Sequence, residues 1–374
     1  MSAISITEIK SPTDILKFIK FPMDLYKENP NYVPSLFKDE KEIWDREKNP
    51  IYKHAEAKLY LAFKDNKIVG RIAVMINHKE TEVLAEKKVR FGWLDFIDDE
   101  EVSRLLIDQA IQFAKENKVN LIEGPMGFTN LDKSGMLTEG FEELATMIGL
   151  YNFSYYPEHL KKLGMKDGKI WVEFSMRFPE VLPEKIIKFS KLISEKYKLK
   201  VLDFKSKKEI VPHVDAMFKL LDETYRTLST YTPISPEQIK IYKEKYFPFI
   251  SKDYVICIAD EHDELVAFAI TMPSYSKALQ KSKGKLFPFG WWHFLQAEKK
   301  NDRANFYLIG IKPEFQRRGV TAIIMKEIFH RFHKMGIKFA ETNPELEDNK
   351  SVQLLWQDYN PVQHKKRQTF VLEV

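Results

Sequence analysis

The sequence predicts a mixed α/β (α+β) fold, with a mixed sheet, laid down twice along one chain. Three observations carry that expectation. Each half contains a strand, a tight turn and a second strand. Each of these hairpins is followed by a strand, an amphipathic helix and a further strand. Both further strands end in glutamate shortly before proline, as Glu123-Gly-Pro125 and Glu341-Thr-Asn-Pro344. Order, lengths and termini agree, which favours duplication over a chance likeness of two α/β units. A strand–helix–strand crossover also puts two parallel strands in one sheet.

In the first half, residues 59–74 read as the hairpin, turning at Asp65-Asn66 between two β-rich runs. A strand is expected at 89–96, a helix at 102–117 with Leu105, Leu106, Ala110 and Phe113 on one apolar stripe, and a strand at 119–123. Prolines at 179 and 183 mark a linker, so the expected domains are 1–180 and 181–374. A helix at 184–197 and a strand at 199–204 open the second half. Its hairpin covers 254–270, followed by a strand at 306–311, a helix at 321–334 with the stripe Ile323, Ile324, Ile328 and Phe332, and a strand at 337–341. A strand over 368–374 closes the chain. The basic run His364-Lys-Lys-Arg367 before it reads as a solvated hairpin turn, with binding of RNA or an acidic acceptor as the other reading.

At 374 residues the chain is too long for one growing hydrophobic core, which agrees with two domains. Its 27 Phe, 16 Tyr and 6 Trp supply enough apolar surface to argue against disorder. The net charge of +5 suits an anionic cofactor but is too small to argue for DNA, and none is expected. The single cysteine, Cys257, excludes an intramolecular disulfide or thiolate cluster, and its apolar surroundings read as packing. The histidines are not grouped at ligand spacing, so no metal is expected. Neither a signal peptide nor an apolar run of about 20 residues is visible. The expectation is a cytoplasmic protein without integral membrane association; the sequence leaves the oligomeric state open.

The strongest local signal is Gly310-Ile-Lys-Pro-Glu-Phe-Gln-Arg-Arg-Gly-Val-Thr-Ala322, lying between a strand and a helix. A helix N-terminus presents unpaired N–H groups and the positive end of the dipole to an anion. Arg317 and Arg318 add charge, and Gly319 lets a phosphate approach without a Cβ in the way. The plain alternative is a surface turn with two solvated arginines.

Gln316-Arg317-Arg318-Gly319-Val320-Thr321 resembles the cofactor loop of the GNAT family of acyl-CoA N-acyltransferases, which reads Q/R-x-x-G-x-G/A; Thr321 stands where the family has Gly or Ala. Downstream, Asn349-Lys-Ser-Val-Gln-Leu-Leu-Trp356 resembles the family's next motif, with Trp356 in place of its usual tyrosine. The resemblance implies two tandem GNAT-like domains, the second using acetyl-CoA or a longer acyl-CoA as donor. Its diphosphate would sit on the loop and its pantetheine arm along Ile309 and Ile311, near Asn349 and Trp356. It further implies transfer to an amine of a small molecule or peptide, with Glu341 as the group that takes the amine proton. Tyr359 substitutes for the missing tyrosine as general acid. Asp222, Glu223 and Tyr225, on the domain's first helix, would meet the acceptor. Glu341 reads equally as a solvated strand end, and the acidic helix as a plain exposed face. Two further functions stand beside catalysis with acyl-CoA: an acyl-CoA-binding module without turnover, and a transferase of the same superfold using aminoacyl-tRNA.

In the first half, Asp98-Asp-Glu-Glu101 aligns with Gln316–Gly319, and four carboxylates would repel a diphosphate. Residues 151–165 nevertheless resemble the family's last motif, so this half is expected to keep the fold without the cofactor site. Finally, Lys277, Lys281, Lys283 and Lys285 precede Leu-Phe-Pro-Phe-Gly-Trp-Trp-His-Phe-Leu295 in a long insertion. It reads as an apolar plug between the halves, a wall of a ligand pocket, or a contact with a membrane surface.

Overall fold

The computed structural model describes residues 3–84, 86–129, 131–226, 234–246 and 249–374. Two compact units divide the chain: Met1–Val172 with Tyr275–Leu295 and His364–Val374, and Glu173–Ser274 with Gln296–Gln363. The units are thus interleaved in sequence, and neither is a continuous half.

The first unit opens with β1 (Ser5–Ile9), α1 (Pro12–Leu25) and α2 (Phe37–Ile43). The expected hairpin is β2 (Ala55–Lys64) and β3 (Lys67–Asn77). Asp65 and Asn66 adopt φ of 51° and 60°, the left-handed pair that a type I′ turn requires. After α3 (His78–Leu84) come β4 (Val89–Phe96), α4 (Glu100–Glu116) and β5 (Leu121–Gly124). Asp99 caps α4 by accepting from the Glu101 N–H at 3.0 Å, and Val102, Leu106, Ala110 and Phe113 bury the inner face. β4 and β5 run parallel, pairing Val89 with Ile122 and Arg90 with Glu123. Then follow β6 (Met136–Glu139), α5 (Tyr155–Lys162) and β7 (Lys166–Arg177).

The second unit repeats the plan. Its elements are α6 (Glu184–Tyr197), β8 (Lys200–Val201), α7 (Val214–Tyr225), α8 (Pro236–Tyr246), and the hairpin β9 (Val255–Ala259) and β10 (Leu265–Pro273). The insertion forms α9 (Ser276–Ser282) and α10 (Gly290–Lys299), and residues 275–295 belong to the first unit. There follow β11 (Arg303–Ile311), α11 (Val320–Met335), β12 (Phe339–Glu341), β13 (Glu345–Leu346) and α12 (Lys350–Gln353). Ile323, Ile324, Ile328 and Phe332 of α11 are buried with Ile186 and Ile193 of α6, Ile256 and Ile258 of β9, and Phe306. Burying each of these aliphatic side chains contributes about 1.5–3 kcal/mol. This packing fixes where the N-terminus of α11 emerges.

The closing strands are exchanged between the repeats. β14 (Val362–Glu373), from the chain's end, pairs with β5 of the first unit, Phe370 opposite Gly124 and Glu373 opposite Leu121. The end of β7 pairs with β12 of the second unit, Arg177 opposite Phe339 and Ser175 opposite Glu341.

The basic run His364–Arg367 is not the solvated turn expected of it. It lies inside β14, with Lys365 1% and Arg367 0% exposed, and Arg367 donates to the carbonyl of Leu150. Side chains that read as solvent-facing charges are instead held in the interior, where a buried cation requires acceptors.

Candidate functional site

β11 and β12 pair at three positions only, from Arg303 opposite Phe339 to Asn305 opposite Glu341. β12 then ends, while β11 continues along β10 alone. One edge of residues 306–311 is therefore free of strand partners among the described residues. Tyr307 is skipped in the register with β10, where Ile270 faces Leu308 and Thr271 faces Phe306, so β11 bulges at the point of divergence.

Odd-numbered backbone groups line the open edge. The Tyr307 carbonyl accepts from Asn343 Nδ2 at 3.0 Å, and the Ile311 carbonyl accepts from Gln316 Nε2 at 3.2 Å. Between them the Ile309 N–H donates to the hydroxyl of Tyr225, at the end of α7. Burial pushes that hydroxyl up to about 12, against the lowering effect of the Ile309 N–H.

The edge leads to the N-terminus of α11. Arg317 and Gly319 adopt φ of 58° and 80°, turning the loop so that Gly319 is the N-cap with no side-chain cap. Among the described residues, the backbone N–H groups of Arg317, Gly319, Val320 and Thr321 have no partner. The Arg317 and Arg318 side chains are exposed and form no ion pair among the described residues. The Arg318 guanidinium lies over the rings of Tyr197 and Phe315, at 5.6 and 6.0 Å from their centroids. A Cβ on Gly319 would come 3.2 Å from Ile193 Cγ1, so the backbone is held close against α6. Uncapped amides, two guanidinium groups and a positive-φ glycine form a seat whose donor set fits a diphosphate.

The remaining expected site residues divide. Glu341, half-buried, ends β12 where the strands part. Asn349 is the half-buried N-cap of α12. Asp222 pairs with Arg226 one turn along α7, and Glu223 is exposed. Trp356 is 1% exposed in the core against Phe306, with ring centroids 4.5 Å apart. Tyr359 lies in the same core beside Phe178, and its buried hydroxyl has no hydrogen-bond partner among the described residues. Burial drives the Tyr359 hydroxyl upward. The structure thus brings together Tyr225, Ile309, Ile311 and residues 316–321, and puts Trp356 and Tyr359 inside the core.

Sequence reasoning missed Glu345. Its Oε1 accepts from Trp356 Nε1 at 2.8 Å, and its Oε2 is buried without a hydrogen bond of normal geometry. Burial pushes this carboxyl up to about 7; the Trp356 hydrogen bond and the neighbouring Thr342 hydroxyl oppose the shift but do not cancel it. Its charge is felt at the Tyr225 hydroxyl, so it lies on the side of β11 that carries the open edge. A carboxyl titrating near neutrality beside a strand edge that has no strand partner is suited to accept a proton. One signal was available: the residue after Pro344 is Glu345, whereas Met126 follows Pro125 in the first half.

The first unit has the same bulge and divergence, but its edge is filled. The Phe96 N–H donates to the Tyr156 hydroxyl at 2.8 Å, and Tyr26 bridges Tyr156 and Asp95 at 2.8 Å each. Arg71 completes the network on Asp95 at 2.7 Å. At the start of α4, Asp98, Asp99 and Glu100 engage His159, Lys64 and Lys162. Glu123, the counterpart of Glu341, is buried against Lys88 at 2.8 Å and Thr369 at 3.0 Å. No anion seat remains at this helix.

The chain carries the GNAT fold twice: each unit has a parallel strand pair that diverges at a bulge, and the second unit adds the uncapped glycine loop. Solved structures with the same architecture include a GCN5-related glucosamine N-acetyltransferase region of a fungal multi-domain GH3 β-N-acetylglucosaminidase. It matches all of this chain at TM-score 0.58 and 12% identity, and this chain spans 38% of that one. A tandem GNAT protein from the clavulanic acid biosynthesis pathway matches at TM-score 0.57 and 8% identity, over 99% of this chain and 98% of that one. In sequence, the chain is 25% identical to Protein YghO of Escherichia coli K12, over 83% of this chain and 79% of the other. It is 22% identical to the bacterial ceramide synthase of Caulobacter vibrioides, over 93% and 92%. No family model matches the sequence.

Proposed function

We propose that the second unit is an N-acyltransferase that moves an acyl group from acyl-CoA to an amine. The observation that carries this reading is the open edge of β11 running into the uncapped N-terminus of α11. The amides of Arg317 and Gly319 to Thr321, with both guanidinium groups, bind the diphosphate. Residues 307–311 hold the pantetheine arm along the edge that lacks a strand partner, displacing the side chains of Asn343, Tyr225 and Gln316 from it. The bound acyl-CoA supplies the activated thioester. Ile309 N–H polarises the thioester carbonyl once the Tyr225 hydroxyl gives up that donor. Glu345 takes a proton from the incoming amine as nitrogen attacks the carbonyl carbon and the carbon–sulfur bond breaks. Tyr225, released from Ile309, supplies a proton to the departing thiolate, a role for which buried Tyr359 is badly sited. Glu341, at the point of divergence, orients the amine.

The donor is acetyl-CoA or a longer acyl-CoA. The name of the Caulobacter relative, a ceramide synthase matched along nearly the whole chain, favours a long acyl chain and an amine carried on a lipid. A second reading, acyl-CoA binding without turnover, is favoured by one observation: the Ile309 N–H is already engaged by Tyr225.

Thr321→Glu tests the seat. A glutamate in the first turn of α11 suits the helix dipole, so folding is retained while the anion site is filled by a carboxylate. Acetyl-CoA and palmitoyl-CoA should raise the native Tm by several degrees at about 100 times Kd, equivalent to about 2.7 kcal/mol, and the variant should show no rise. Thiol release on adding amines, including long-chain amino alcohols, separates transfer from binding. An unshifted native Tm with every CoA species overturns both readings.

A further inference from the structure

The insertion of residues 275–295 carries a group of side chains that the acyl-transfer reading does not use. Phe287 and Phe289 are 80% and 76% exposed, Trp292 52% and Trp291 45%, with Leu295 beside them. Side chains this open to solvent are not an apolar plug, nor do they wall a closed pocket. Soluble proteins rarely leave five large apolar side chains together in water without a partner.

The segment that presents them is firmly fixed. Phe37 N–H donates to the Gly284 carbonyl at 2.8 Å, and Gln280 Nε2 donates to the carbonyls of Pro30 and Tyr32 at 2.7 and 2.9 Å. Gly284 has φ of 70°, and a Cβ there would strike the Ser35 carbonyl. Trp291 N–H donates to Leu286 O at 2.8 Å and its indole to Pro288 O at 2.9 Å, while Phe294 packs inward on Tyr275. The aromatic tip is therefore held outward by a built turn.

Charge identifies the occupant. No Asp or Glu occurs between Ser274 and Ala297. Lys277, Lys281, Lys283 and Lys285 are all exposed, and none forms an ion pair among the described residues. Adjacent tryptophans with flanking phenylalanines match the boundary between lipid headgroups and acyl chains, and a collar of unpaired lysines matches anionic headgroups. We infer that this insertion seats the protein on an anionic lipid bilayer, with Phe287, Phe289, Trp291 and Trp292 entering the interface. The attachment is peripheral: no helix among the described residues is long and apolar enough to cross a membrane.

The full-length chain should co-sediment with vesicles of equal parts phosphatidylcholine and phosphatidylglycerol, and tryptophan emission should shift to the blue. Binding to phosphatidylcholine alone should be weak, and salt should weaken binding to the anionic vesicles. Lys281→Glu with Lys283→Glu should reduce vesicle affinity by about tenfold or more. Phe287→Ser with Phe289→Ser should do the same and remove most of the spectral shift. Both pairs are exposed, so the fold and CoA binding should be unchanged; CoA binding is read separately, so its loss would count against the transferase reading alone. The inference is overturned if the native chain ignores anionic vesicles, or if both double variants bind them as well as it does. It is also overturned if the aromatic pair proves to hold two copies of the chain together, seen as concentration-dependent sedimentation abolished by Phe287→Ser with Phe289→Ser.

Discussion

Glu345→Gln probes both the energetics and the chemistry of the proposed site. The substitution keeps an oxygen to accept from Trp356 Nε1 but removes a carboxyl that burial raises from 4.5 to about 7. A carboxyl that titrates higher in the folded than in the unfolded chain binds its proton more tightly when folded. Its contribution to stability is therefore complete below about pH 4.5 and is lost as pH rises through about 7. At 1.36 kcal/mol per tenfold change, ionised Glu345 destabilises the native state by at most about 3 kcal/mol, less the screening by solvent around a partly exposed side chain. Urea unfolding at about pH 5 and about pH 9 measures this directly. Glu345→Gln should gain stability over the native protein across that interval and level off above about pH 7. In the acyl-transfer assay, native kcat/KM should rise with pH and flatten near 7, while the variant should be roughly a hundredfold slower and lack that bend. Native and variant stabilities that run parallel with pH would refute the burial argument. A bend unmoved by the substitution would refute the assignment of the base.

Tyr225→Phe should leave the Ile309 N–H without its acceptor, costing about 1–3 kcal/mol in the unliganded protein by thermal unfolding, while acyl-CoA binds more tightly by calorimetry. Lys88 is 1% exposed and lies 2.8 Å from Glu123 and 3.5 Å from Glu80. Burial alone would lower its pKa, yet the two carboxylates hold it raised, so Lys88→Met should destabilise the first unit by about 3–5 kcal/mol in urea. Cys257 is fully buried, and burial pushes its thiol up to about 12. A thiol reagent at mildly alkaline pH should therefore leave it unmodified in the native protein and react once it is unfolded.

The doubled plan was legible because it is written in local physics. Turn residues able to take positive φ, such as Asp65 and Asn66, and stripes such as Ile323, Ile324 and Ile328 specify elements without distant information. The uncapped loop before α11 was legible for the same reason, since Gly319 and its neighbouring arginines are contiguous. Long-range pairing was not. Nothing local to residues 362–373 says that they lie beside β5, so a basic strand interior reads as a surface turn. Glu345 escaped for a related reason: its raised pKa comes from burial around Trp356, which the sequence separates from it by ten residues. Tyr359 illustrates the converse. The motif it follows suggests a role at the site, but its surroundings in the core are set by packing on Phe178, which lies far away in the sequence.

The exchange of β14 and β7 has a consequence for biosynthesis. A ribosome emits the chain from its N-terminus, yet the strand that lies against β5 is made after every other strand of that unit. The early unit must wait through roughly two hundred further codons with an exposed sheet edge, at risk of pairing with a neighbouring nascent chain. Stop codons or proteolytic clipping within residues 362–373 would therefore injure the first unit, whose other strands were made long before.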